Sequence, residues 1–179
     1  MEGTSSPHTP GDDEKLTQVM VYTASSLIVA DVITKKIIRV STWLRTPMVP
    51  QFITLHTAQV IDFGSGGKPM HLNALYLPAS AVIAFHMRPP ASDPLDYELN
   101  EPMRKMEPAA ALVGPFRFDG TIRMSTQTDL ERYLDVTKET FTAIYDIQIS
   151  PLSSLAIKPF RVPYALLRRD LVSFAHRGD

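Results

Sequence analysis

Asp62-Phe63-Gly64-Ser65-Gly66-Gly67-Lys68 is the stretch of this chain that most resembles a phosphate-cradling loop. Such a loop needs four residues between its glycines, a Ser or Thr after the lysine, and a helix whose N-terminus faces the phosphate. None of these follows here, so the stretch reads as a strand connection. The five histidines, His8, His56, His71, His86 and His176, contain no pair at metal-ligand spacing. Asp129, Glu131 and Asp135 supply carboxylates, but the first two fall in the first turn of an expected helix, where the helix dipole favours negative charge. No serine stands in a nucleophile-elbow context. The residues thus name no catalytic, cofactor or metal site. What remains is a set of cations in the last expected strands: Arg161, Arg168, Arg169 and Arg177, with Arg88 near the related place of the first half. These five are candidate contacts for an anionic partner, set against the ordinary use of charge to protect exposed strand edges.

Those side chains must be positioned by short strands. β-Branched and aromatic residues dominate Val19–Tyr22, Leu27–Val40, Phe52–Phe63, Met70–Leu77 and Ala81–Met87, and again Phe116–Met124, Phe141–Ile149, Phe160–Leu166 and Leu171–Ala175, with Gly and Pro between them. The sequence also repeats itself. Ile38-Arg39-Val40-Ser41-Thr42 returns as Ile122-Arg123-Met124-Ser125-Thr126. Phe52-x-x-Leu55-x-x-Ala58-Gln59-Val60 returns as Phe141-x-x-Ile144-x-x-Ile147-Gln148-Ile149. Lys68-Pro69 matches Lys158-Pro159, and Val82-Ile83-Ala84-Phe85 matches Leu171-Val172-Ser173-Phe174. Blocks in one order at one approximate period signal a duplicated unit.

Asp119-Gly120 has hairpin chemistry, but Phe116, Phe118, Ile122 and Met124 hold one face straight through it. A single strand bent or bulged at Gly120 is therefore expected. Thr128-x-x-Glu131 reads as a capping box, and Leu130, Tyr133 and Leu134 follow at helical spacing, which predicts a helix over 128–136. Pro47 and Pro50 disfavour its counterpart in the first half. Between the halves, Pro89, Pro90, Pro94, Pro102 and Pro108 make a semi-stiff linker, with a short helix expected around Pro102–Met106.

Composition bounds the rest. The 179 residues carry a net charge of −1 and no cysteine, which removes disulfides, cysteine-bound zinc and thiol nucleophiles together. Residues 1–18 form an expected disordered acidic tail, 19–90 a first β-barrel repeat, 91–112 the Pro-rich linker and 113–179 a second repeat. Residues 22–90 hold 6 basic and 2 acidic residues, whereas 91–112 hold 2 and 5, so the basic face of the first repeat is flanked by acidic segments. The N-terminus lacks signal-peptide chemistry and no apolar run approaches a membrane span, so a soluble, cytoplasmic protein without membrane contact is expected.

The glycine-bent strand, the Asp129 and Leu130 helical turn, Phe141-x-x-Ile144-x-x-Ile147, Val162 and the closing Leu171-Val172-x-Phe174 resemble the small barrels of the Sm-like and SH3-like superfamilies. They are also similar to an uncharacterised bacterial domain with a Gly-x-Ile/Val strand and an Asp-x-x-Leu turn. The resemblance implies a mainly β chain of two tandem, strongly bent barrels, the second with a short helix. RNA-binding Sm-like proteins use an Asp and Asn loop and a closing Lys-His or Arg-Gly turn, where this chain has Pro78-Ala79-Ser80 and Leu167-Arg168-Arg169-Asp170. The expected function is a non-catalytic assembly or adaptor module that associates with itself or another protein. An RNA-binding protein and an enzyme of unknown class remain the rivals.

Overall fold

The computed structural model describes residues 9–65, 68–152 and 157–177. Residues 1–8 of the expected tail, Gly66 and Gly67 of the glycine loop, 153–156 and 178–179 lie outside them. The strands are β1 (Glu14–Tyr22), β2 (Ser26–Lys35), β3 (Phe52–Asp62), β4 (Pro69–Pro78), β5 (Ala84–Met87), β6 (Arg104–Val113), β7 (Phe116–Ser125), β8 (Phe141–Pro151), β9 (Phe160–Arg168) and β10 (Ser173–His176). A 3-10 helix covers Val40–Arg45, and one α-helix, α1, covers Leu130–Val136. All ten strands join one antiparallel sheet in the order β10-β6-β7-β8-β9-β5-β1-β2-β3-β4.

That order contains the same five-strand sequence twice. β5-β1-β2-β3-β4 in the first half corresponds to β10-β6-β7-β8-β9 in the second. The registers correspond too. Val29 pairs with Gln59 and, past a bulge, Asp31 with His56; Asp119 pairs with Gln148 and, past a bulge, Thr121 with Tyr145. Thr57 and Asp146 occupy the left-handed region at φ 47° and 50° in matching places. Of the four repeated blocks, the second and fourth fall in or run into corresponding strands, and the third stands at the entries to β4 and β9. The first does not correspond: Ile122–Ser125 ends β7, whereas Ile38–Thr42 lies beyond β2 and enters the 3-10 helix. Gly120 sits at the β7 bulge, in a strand that runs through without a hairpin.

Closed barrels are not what the sheet forms. β5 pairs with β9, placing Ala84 opposite Leu167 and Phe85 opposite Leu166, so the sheet continues from one half to the other and stays open. Two further expectations are corrected. Residues 14–18, assigned to the tail, are the first part of β1, held by a continuous ladder to β2. Residues 104–112, assigned to the linker, are most of β6, and no helix forms at 102–106. Pro108 hid this strand, yet it is tolerated: β10 covers only Ala109–Leu112, leaving the outer edge at Pro108 unpaired.

Alternation along the central strands explains the cores. Val19 and Val21 of β1, Phe85 of β5 and Leu166 of β9 enter one cluster with Ile28, Ile53, Leu55 and Trp43. Their neighbours Met20, Tyr22, Ala84, Ala165 and Leu167 enter another, with Phe116, Phe118, Ile122 and Ile147. Successive side chains point to opposite faces of a strand, so β1, β5 and β9 are buried on both sides. This is why Val19-Met20-Val21-Tyr22 reads as an unbroken apolar run. It also means that each half completes the core of the other.

The predicted helix exists, but Asp129 rather than Thr128 caps it: its carboxylate accepts the Arg132 amide at 2.8 Å. In the first half the related connection carries the 3-10 helix, which ends before Pro47. Leu130 is 3% exposed, whereas Tyr133 and Leu134 are half-buried against the same core. Leu130→Ala is therefore expected to destabilise the protein by roughly 2–4 kcal/mol and Leu134→Ala by clearly less. Urea unfolding of the two variants checks this, and the reverse ranking would show that the helix packs differently.

Candidate functional site

Among the described residues the sheet ends in two unpaired edges, β4 and β10. Beside β4 lies an apolar groove of about 580 Å³. Leu72, Leu75 and Leu77 of β4 and Val60 of β3 form one wall, Ser26 and Ile28 of β2 the other, with Ile83 and Leu171 at the end. The sequence places small or branched residues at these positions, and their counterparts in the second half show what that does. There, Phe116 and Phe118 stand where Ser26 and Ile28 stand, and Tyr22 of the first half packs its ring edgewise on both at 5.2 Å. One half is filled; the other is left open. Met70, on the edge itself, is 58% exposed and Tyr76 67%. This combination of free backbone edge and apolar groove is suited to taking up an extended strand and its side chains.

A second, polar cleft of about 650 Å³ lies where the first half meets the second. The segment between β5 and β6 crosses it as a strap. The Asp93 carboxylate accepts the Ser41 amide at 2.8 Å, and the Leu95 carbonyl accepts from Arg39 at 3.0 Å. The Asp96 carboxylate accepts the Tyr145 hydroxyl at 2.8 Å and the Tyr164 hydroxyl at 3.5 Å, and pairs with Arg45 at 3.5 Å. Burial, reinforced by the Asp96 charge, pushes both tyrosine hydroxyls well above their ordinary range, so they stay protonated donors. Tyr97 packs edgewise on Tyr145 and lies under the Arg123 guanidinium, which also pairs with Glu101. Each of these polar groups has a partner within the chain, which makes the strap a latch between the halves.

The five candidate cations do not form one surface. Arg168 lies at the β5–β9 junction: its Nε donates to the Val82 carbonyl at 3.0 Å, its Nη2 to Ala79 at 3.3 Å, and its guanidinium covers the Phe141 ring. Arg169 donates to the Leu134 and Thr137 carbonyls at the end of α1. Both are engaged within the protein. Arg161 donates to Gln148 at 3.0 Å and Arg88 to Gln18 at 2.8 Å, on separate parts of the sheet, and Arg177 is exposed beyond β10. Arg168 ends β9 and Arg169 opens the turn after it, so the two neighbouring cations reach different partners, the β5 side and the end of α1.

Sequence reasoning missed the role of His86. It is 1% exposed on β5, with Nδ1 2.9 Å from the Met87 carbonyl and Nε2 3.0 Å from the Tyr22 hydroxyl. A carbonyl only accepts, so Nδ1 carries the proton and Nε2 accepts from tyrosine. Burial lowers its pKa from 6.5 to about 4, the backbone bond opposing only in part. The signal in the sequence was its place inside the apolar run Val82–Met87. Among the described residues no group of three His, Asp or Glu side chains is placed to hold a metal ion, and no helix is long and apolar enough to cross a membrane. The Asp62 carboxylate accepts the Gly64 amide at 2.8 Å, forming a turn directly after β3. The chain matches no protein-family model, no curated protein and no solved structure.

Proposed function

We propose that this chain is a non-catalytic assembly module of two tandem units akin to Sm-like or SH3-like small barrels, which associates through its free strand edges. The observation that carries the reading is the β5–β9 pairing. It joins two units of identical strand order edge to edge, and among the described residues it leaves the outer edges of β4 and β10, the counterparts of β9 and β5, unpaired. An edge already used once within the chain is thereby repeated at each end. The mutual completion of the two cores supports the same reading, since neither unit buries its apolar surface alone. The RNA-binding rival has less support, because Arg168 and Arg169 are tied to backbone carbonyls.

Light scattering across a concentration series tests the proposal. The apparent mass is expected to rise above the 20.0 kDa of the monomer as concentration increases. A constant monomer mass with no bound partner rejects self-association. Tight, sequence-selective binding of single-stranded RNA at about 0.15 M salt would instead favour the rival, because phosphate-driven binding weakens as salt rises.

A further inference from the structure

We infer that the apolar groove beside β4 is the seat for the β6–β10 edge of a second copy of this chain, joined head to tail. The inference rests on the assembly reading and names its contact surface. Within one chain, the second half receives Met20, Tyr22, Ile83 and Ala84 from the first, and the β5–β9 ladder aligns them. Register identifies the residues that would repeat this contact between copies. Tyr22 corresponds to Leu112, as Tyr22 faces Leu27 and Leu112 faces Arg117. Ala84 corresponds to Ser173, since these face Tyr22 and Leu112. Leu167 corresponds to Leu77, since these face Thr142 and Ile53.

The shapes agree with that assignment. Leu112 is an apolar side chain left 47% exposed on an edge-proximal strand by the described residues. The groove it would enter is wide because Ser26 and Ile28 replace the two phenylalanines that Tyr22 meets internally. A second copy therefore continues the junction the chain already contains. The repeated contact is weaker than the internal one for a definable reason. Arg168 corresponds to Pro78, which has no amide to match the Arg168 N–H bond to the Ile83 carbonyl and no guanidinium to reach Val82 and Ala79. The association is thus reversible and heterologous, each copy presenting β4 to one neighbour and β10 to the other.

The absence of native cysteine gives a clean test. Leu77→Cys protein is mixed with Ser173→Cys protein under mild oxidation, and in parallel with Lys138→Cys, an exposed position far from either edge in sequence. The first mixture is expected to yield on the order of tenfold more disulfide-linked heterodimer than the control. Leu112→Glu, checked for native circular dichroism, is expected to weaken self-association about tenfold or more, since a buried unpaired carboxylate is strongly disfavoured. Self-association in light scattering with no excess cross-linking, or with Leu112→Glu unaffected, overturns this docking while leaving the assembly reading standing. A monomer at every concentration overturns both.

Discussion

Gly120→Val is expected to be among the most damaging single substitutions in this protein, and Gly120→Ala to cost roughly 1–3 kcal/mol. A Cβ at Gly120 would lie 2.6 Å from the Tyr145 carbonyl oxygen, 3.0 Å from Ile144 Cγ1 and 3.2 Å from Ile147 Cγ1. The nearest obstacle is backbone, inside the ladder of β7 with β8, so relief requires the strands to separate rather than a side chain to turn. The bulge itself does not demand glycine. Ala30 occupies the matching position in the first half, fully buried, where β2 and β3 accommodate its methyl group. Ala30→Gly is accordingly expected to lose only about 0.5–1 kcal/mol, from backbone entropy. Thermal unfolding of the two alanine–glycine exchanges separates these effects. Equal small losses would mean that β7 and β8 move apart freely at this point.

Acid is expected to unfold the protein through His86. Its folded pKa is about 4 against an ordinary 6.5, so between those values the unfolded chain binds a proton that the folded chain does not. Stability is complete above about pH 6.5 and falls as pH drops toward 4, by about 3 kcal/mol in total. The residues facing the ring are Tyr22, Phe160 and the Met87 carbonyl, none of which supplies a compensating negative charge. Asp13, Glu14 and Glu101, whose pKa values are lowered chiefly by hydrogen bonds from Lys35, Gly11 and Arg123, lose their contributions only as pH falls below their ordinary carboxylate values; Asp13 and Glu101 are exposed and Glu14 is half-buried. His86→Gln retains an acceptor for the Tyr22 hydroxyl and cannot titrate, so its urea midpoint should be nearly flat from pH 6.5 to 4.5. A wild-type-like slope in that variant would place the acid sensitivity elsewhere.

Local pattern alone determined most of the strands. The period-two run through Phe116, Phe118, Ile122 and Met124 gave one uninterrupted β7, and Leu130, Tyr133 and Leu134 gave α1, because both patterns depend only on neighbours in the chain. The duplicated blocks around Phe52 and Phe141, and around Phe85 and Phe174, marked strands of matching register for the same reason. The block at Ile38 misled, since five similar residues carry no information about where a strand stops. β2 ends at Lys35, and tertiary contact with Phe85 draws Trp43 into the core on a 3-10 turn. β6 escaped notice because proline tolerance at Pro108 depends on which neighbour pairs at that residue, a fact of the sheet and not of the segment. Above all, only the tertiary structure decided that β5 pairs with β9. Edge pairing uses backbone groups that every residue possesses, so no side-chain pattern reveals its partner. That single pairing left the sheet open, turned Arg168 from a surface cation into a junction clamp, and exposed β4 and its groove.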